Sequence, residues 1–441
     1  MLHIKEQQAQ GAAGHAWIGP APWINVPPPG PRAQNLLELD RRLGSPSYLR
    51  DYPLVVRRGH GSVVEDVDGN RYLDFAASLA VCSTGHTHPK VVAAIQHQAS
   101  ELIHTSGATF CHQPMVALTE KLAALAPGKS PKGVLLTNSG SEAAEAAFKL
   151  VRYHTGRPWV IAFHGASHGR TMGALSLSFD QASQRDRVGP LVPMVAHVPF
   201  GDLEAIKERV FEQLAAPEQV AAIFVEPIQG QAGCVVPSKS FLSGLRSMCD
   251  RHGMLLVADE VQSGMGRTGK MFACQHFALV PDVILCAKGL ASGLPLGAVV
   301  ANESVMDWPA GAQASSFGGN PICCAAALAT LQALESGMIA NAAQLGEVLL
   351  AGLVRLVARR KGLANARGLG LMAALDVVHR KSGRPDPQKR RRILDQAFRS
   401  GLILLPCGPC GIRFCPPLCI NRTQLTVGLD VLDEVVATLS A

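Results

Sequence analysis

A chain of 441 residues is too long for one ordinary core and points to a large domain joined to a smaller one. Apolar residues form 47% of it, charged residues 17%, and the net charge of +7 is modest, so a soluble globular protein is expected. The longest apolar runs, such as Val220 to Val225 and Met254 to Ala258, have strand length and fall far short of a bilayer span, which argues against a membrane partner.

In chain order, residues 1–31 are rich in Pro, Gly and Ala and are expected to be an arm lying on another surface. Lys5 and Glu6 interrupt any apolar stretch there, so the N-terminus does not read as a secretion signal and a cytoplasmic location is expected. Residues 32–80 are assigned to the first part of the small domain, with short strands from Arg57 to Asp74 joined at the turn Asp68-Gly69-Asn70. Residues 81–335 form the expected large domain. Its predicted strands are 134–137, 159–163, 221–226, 254–259, 283–287 and 297–300, and its predicted helices cover 142–154, 239–252 and 321–335. This alternation argues a mainly parallel, doubly wound α/β sheet, in which ligands bind beyond the carboxyl ends of the strands. Residues 336–441 are expected to complete the small α+β domain.

Two features of that last portion bear on function. The run Lys389-Arg390-Arg391-Arg392 is a candidate nucleic-acid patch by charge, but a solvated loop leading into a helix is the expected role, and no nucleic-acid partner is assigned. Cys407, Cys410, Cys415 and Cys419 have spacings that could suit a metal or redox site. A strand from Gly411 to Cys415 would send Cys410 and Cys415 to different faces, so the twelve cysteines are expected to be reduced and those of this cluster to be packed in the core, with no metal.

The residues just past the predicted strands carry the chemistry. Asn138-Ser139-Gly140-Ser141-Glu142 opens a helix and offers free backbone N–H groups to an anion, although the same residues also make an ordinary helix cap. Asp259 and Glu260 end an apolar strand, where a carboxylate requires a cation or hydrogen-bond donors. Gln262 comes next on the same turn. Lys288 ends another apolar strand, beside Gly289, Gly293 and Gly297; a lysine held in an apolar pocket becomes nucleophilic toward carbonyls.

These features resemble the class III (subgroup II) aminotransferases, pyridoxal 5'-phosphate (PLP) enzymes of fold type I, in the branch with 4-aminobutyrate and ornithine aminotransferases and related racemases. The resemblance rests on Gly85-His-Thr-His-Pro89, Asn138 to Glu142, Ser167-His-Gly-Arg170-Thr171, Glu226-Pro-Ile-Gln229-Gly230, Asp259 to Gln262, Gly266-Arg-Thr-Gly269, Ala287-Lys288-Gly289 and Phe317-Gly-Gly-Asn-Pro321, in family order. It implies that Lys288 carries PLP as a Schiff base and that Asp259 pairs with the pyridine nitrogen. Gln262 would lie near the phenolate oxygen, and Gly140 and Ser141 would hold the phosphate. Ser167 and His168 would line the cofactor site. Ser316 would reach the phosphate of a neighbouring subunit, making a homodimer necessary. Arg413 would clamp the substrate α-carboxylate, and Arg170 matches a position that binds a distal carboxylate.

Three departures from the family pattern predict an altered specificity. Ser167 replaces an aromatic residue that stacks on the cofactor, with His164 or another nearby ring a candidate to compensate. Gln231 replaces a glutamate that neutralises the α-carboxylate arginine. Phe110-Cys111-His112 stands where tyrosines line the substrate pocket. The expected activity is ping-pong transfer of an amino group from an amino acid to a 2-oxo acid, most simply 2-oxoglutarate. A racemase using the same site is the alternative, and a PLP-binding protein without turnover a more distant one.

Overall fold

The computed structural model describes residues 18–439, so most of the arm lies outside the described residues. A seven-stranded sheet organises the molecule. Its strands are β1 (Lys132–Thr137), β2 (Trp159–Phe163), β3 (Val195–Val198), β4 (Val220–Val225), β5 (Leu255–Asp259), β6 (Val283–Cys286) and β7 (Gly297–Asn302), in spatial order β1-β7-β6-β5-β4-β2-β3. All pairings are parallel except those of β7, which runs antiparallel to both its neighbours. The sequence Val-Ala-Ala-Ile-Phe-Val of β4 is buried throughout, as expected of a strand covered on both faces. Each large side chain so buried contributes about 1.5–3 kcal/mol.

Two of the helices show why local sequence suffices. The helix Gly140–Thr155, called α1 here, starts where Ser139 Oγ accepts from the Glu142 N–H at 3.1 Å, and it stops at Gly156 with φ 67°. Lys239–His252 (α2) is capped by Ser238 and ends at Gly253 with φ 61°. The six predicted strands and three predicted helices are all present, with ends shifted by a few residues at most. Within this sheet β3, which is four residues long and comes after an irregular stretch, is the strand without a counterpart among the predicted ones. The last of the three helices, Pro321–Ala333 (α3), continues through one wide turn into Ile339–Arg359 (α4). That run is long and apolar enough to cross a bilayer, but Cys324, Leu331, Leu345, Leu349 and Leu353 on it are buried in the core.

Two four-stranded sheets complete the fold. The first joins Val56–His60, Val63–Asp66 and Arg71–Asp74 to Leu402–Ile403, which pairs in parallel with residues 73–74. The second has the order Leu363–Leu369, Met372–Val377, Gly411–Phe414, Leu405–Cys407. In the described part of the arm, Trp23 pairs with Arg71, whose guanidinium lies 3.9 Å from the indole ring centre.

The basic run departs from expectation. Lys389–Arg392 lies inside the helix Pro387–Arg399, not on a loop before it, because Asp386 caps that helix by accepting from the Lys389 N–H at 2.9 Å. Lys389 is buried and Arg390 half-buried. Cys234, Cys407 and Cys415 pack together with Ile228 and Met372, which is the packed-thiol arrangement expected.

Candidate active site

The carboxyl ends of β1, β2, β5 and β6 converge on one chamber of about 410 Å³. The turn after β1 contributes Asn138, Ser139, Gly140 and Ser141; the loop after β2 contributes Ser167 and His168; β5 contributes Asp259; Lys288 comes just after β6. The sequence does this because each strand is apolar up to its last residue and polar beyond it.

Lys288 adopts φ 41°, a left-handed conformation that a side-chain-bearing residue rarely takes and that marks a functional constraint. Its Nζ donates to Gln262 Oε1 at 3.0 Å. Burial first, and then the nearby Arg413 charge, lower the ammonium pKa to about 8, while Asp259 and Glu226 pull the other way. A lysine so placed is largely available as a free amine in mildly alkaline solution.

Asp259 Oδ2 lies 2.6 Å from His168 Nδ1, and Oδ1 accepts from the Val261 N–H at 2.9 Å. Burial opposes a charge on His168, but the Asp259 contact overrides it and raises the imidazole pKa. Glu226 lies behind this pair. Its carboxylate accepts from the N–H groups of Ser167 and Gly230, and burial pushes its pKa up to about 7 against the pull of His168. Glu226 sits at the end of an apolar strand just as Asp259 does, and that shared pattern is the signal for a role that the sequence alone leaves unassigned.

The chamber suits a flat, phosphorylated ring. Gly140 and Ser141 are the first two residues of α1, whose N–H groups have no partner within the helix. The Nε2 of Gln262 is buried without a hydrogen-bond partner. A Cβ on Gly140 would come within 2.8 Å of Val261, and one on Gly169 within 2.4 Å of Ser141 Oγ, so these glycines keep the cradle open. These observations fit PLP, with Lys288 and Asp259 serving two needs of one ring: a carbonyl to bind and a nitrogen to keep protonated.

Other expected residues fall in different places. Arg413, only 4% exposed, stands on the strand Gly411–Phe414 and donates from Nη1 to Gln231 Oε1 at 3.3 Å. Arg170 is exposed at the chamber rim and touches Ser141 through its backbone N–H, 3.4 Å from Oγ. Ser316 is exposed, and its neighbour Ser315 meets the chamber by accepting from Asn138 Nδ2 at 2.8 Å.

One expectation about the departures is corrected. His164 does not replace the missing stack at Ser167: its ring lies on Phe179, with centroids 4.5 Å apart, and outside the chamber lining. His112 is buried. It caps the helix Gln113–Leu125, accepting from the Met115 N–H, with Nε2 at 2.9 Å from the Gly319 carbonyl.

A doubly wound sheet presenting a lysine, a carboxylate and a helix N-terminus in one chamber defines a PLP-dependent transferase of fold type I. The class-III aminotransferase model matches residues 46–436, and the chain belongs to that family. A 5-aminovalerate aminotransferase of Pseudomonas aeruginosa is 42% identical over 87% of this chain and 93% of its own length. An alanine/serine racemase of Pyrococcus horikoshii is 38% identical over 94% of this chain and 92% of its own. Among solved structures, the ornithine aminotransferase of Toxoplasma gondii superposes with a TM-score of 0.84 at 31% identity, over 92% of this chain and 95% of that one. The chain is a PLP-dependent aminotransferase that moves an amino group from an amino acid to a 2-oxo acid.

Proposed function

We propose that the amino donor is an α-amino or diamino acid whose α-carboxylate is bound by Arg413, with 2-oxoglutarate as acceptor in a ping-pong sequence. The observation that carries this reading is a buried arginine facing a neutral amide, Gln231, in the same site as Lys288. A buried guanidinium without a carboxylate partner favours a ligand that brings one. PLP supplies an electron sink that acidifies the carbon bearing the amino group.

The chain's own residues do the rest. Gly140 and Ser141 hold the phosphate through backbone N–H groups, Asp259 keeps the pyridine nitrogen protonated, and Gln262 Nε2 donates to the ring oxygen. Lys288 Nζ would hold the cofactor until the substrate amine displaces it, and the freed amine would then move the proton from the substrate α-carbon to the cofactor carbon that the lysine had occupied. Ser167 and His168 flank the ring without stacking an aromatic carbocycle on it. Ser316 serves the phosphate of a second subunit, and Arg170 meets the distal end of the substrate.

A homodimer is part of this reading. Ile103, Phe110 and Phe317 are 62–66% exposed, and His104 and Phe317 lie ring to ring at 5.0 Å, so an apolar surface gathers around Ser316. A donor screen with and without 2-oxoglutarate tests the function: glutamate should form only with the 2-oxo acid present. Racemisation is the second reading, supported by the lack of an acidic residue at Gln231 and by the name of the Pyrococcus relative. It requires turnover without any 2-oxo acid and solvent deuterium at the α-carbon.

A further inference from the structure

Arg267 and Arg413 are buried guanidinium groups with no carboxylate to answer them. Arg413 donates to the neutral amide of Gln231. Arg267, 1% exposed, donates from Nη1 to the carbonyls of Leu371, at 3.2 Å, and of Pro416. Its Nε and Nη2 are buried without a hydrogen-bond partner. Asp74 acts on Arg267 from a distance, but its oxygens are taken by His86 and by the N–H groups of Ala76 and Ala77. Burial accordingly works against the charge of Arg267. A buried cation with unused donors requires an anion close by.

Cys415 is placed to supply it. It directly precedes Pro416, whose carbonyl holds Arg267, and it lies two residues beyond Arg413, where an extended chain puts both side chains on one side. Ala374, the cross-strand partner of Arg413, packs in the same buried cluster as Cys415. The thiols of Cys415 and Cys234 are hydrogen-bonded to each other, and Cys234 ends the turn that carries Gln231. The titratable groups around Cys415 are therefore the thiols Cys234 and Cys407 and the cations Arg267, Arg413 and Lys288. Asp74, Cys234 and Cys419 also act on Arg267. The Cys234 hydrogen bond first, and then the three cations, hold the Cys415 thiol below its ordinary range against burial. Cys234 keeps its proton to donate and is itself raised, and burial pushes Cys407 up to about 12.

We infer that Cys415 stands as a thiolate in the folded protein, the counter-ion of Arg267, and that it screens the charge of Arg413 while no substrate is bound. The screening role rests on the proposed placement of the α-carboxylate at Arg413. A thiolate suits both tasks, because sulfur is polarisable and a weak hydrogen-bond acceptor. It offsets guanidinium charge without occupying the N–H groups of Arg413, which stay available to a carboxylate. An incoming α-carboxylate is attracted by the arginine and repelled by the thiolate, so Cys415 sets how tightly it is held. Cys415 is a positioning residue, since it acts through Arg413 and lies outside the chamber lining.

The PLP-loaded enzyme tests this in two measurements. The ultraviolet thiolate absorbance of the natural chain minus that of Cys415→Ser, followed against pH, should show one thiolate forming well below the value of about 8.5 for a free cysteine. Cys234→Ala removes the donated hydrogen bond and should move that step to higher pH. The second measurement is the apparent Kd for L-glutamate, read from the loss of the PLP absorbance band. Below the step the natural chain and Cys415→Ser should agree. Above it the natural chain should bind L-glutamate about three- to tenfold more weakly, the scale of one charge pair. Cys415→Asp, which keeps an anion beside Arg267, should fold and bind as weakly as the natural chain. A step at or above about 8.5, or no step, overturns the counter-ion. A Kd ratio that stays near unity across the step overturns the screening of Arg413 and leaves the proposed transamination standing. If L-glutamate never reacts, the placement at Arg413 fails and the screening with it, while the absorbance step still decides the counter-ion of Arg267.

Discussion

At the scale of single residues, burial decides what each group can do. Lys288 has a pKa near 8, so the rate at which the cofactor-free protein takes up PLP should rise with pH through about 8. An exposed lysine would respond only near about 10.4. Stopped-flow absorbance at a series of pH values checks this. Replacing Lys288 by alanine removes the amine altogether and should lower turnover at least about 1,000-fold, a loss of about 4 kcal/mol in transition-state stabilisation. Gln231→Glu would place a carboxylate against Arg413, where Gln231 Oε1 now stands at 3.3 Å. A substrate carboxylate would then compete with it, and KM for α-amino acids should rise about tenfold with kcat little changed, as steady-state kinetics would show.

At the scale of elements, close backbone approach explains positions that carry no mark in the sequence. Gly346 on α4 faces Gly370, and a Cβ there would come within 2.3 Å of the Gly370 Cα. Gly346→Ala forces the helix away from the turn between Leu363–Leu369 and Met372–Val377 and should destabilise the protein by about 1–3 kcal/mol, read from denaturant unfolding. Nothing in the local sequence announces this contact, because a glycine inside a helix pattern looks like a mere weakness. By contrast, the sheet strands are legible because each is a short apolar run ending in a polar residue. Lys288, Asp259 and Gln262 are legible for the same reason.

At the scale of the whole molecule, one ion pair ties the first small sheet to the edge of the chamber. His86 Nε2 lies 2.7 Å from Asp74 Oδ2. Burial alone would lower the imidazole pKa, but the Asp74 contact raises it to about 10. Its folded value exceeds its unfolded value, so the stabilisation is complete below about pH 6.5 and is lost as pH rises from there through about 10. Unfolding free energy measured across that window should decline more steeply in the natural chain than in a His86→Gln variant. Asp74 also accepts, through Oδ1, from the N–H groups of Ala76 and Ala77, at the start of a turn in which Ala77, Ser78, Leu79 and Ala80 all have φ between 45° and 67°. Four residues in succession run in the mirror image of the usual handedness, at about 1–2 kcal/mol each. The turn throws Leu79 out to solvent, 54% exposed, and two residues later sets Val81 in the chamber wall. In the proposed homodimer, a second subunit covering Leu79 and a cofactor resting against Val81 would grip the two ends of one stiff lever. Each should make the other's hold firmer, by the reciprocity that binds any two linked equilibria. Diluted samples loaded with PLP should accordingly stay paired at concentrations where stripped samples fall apart.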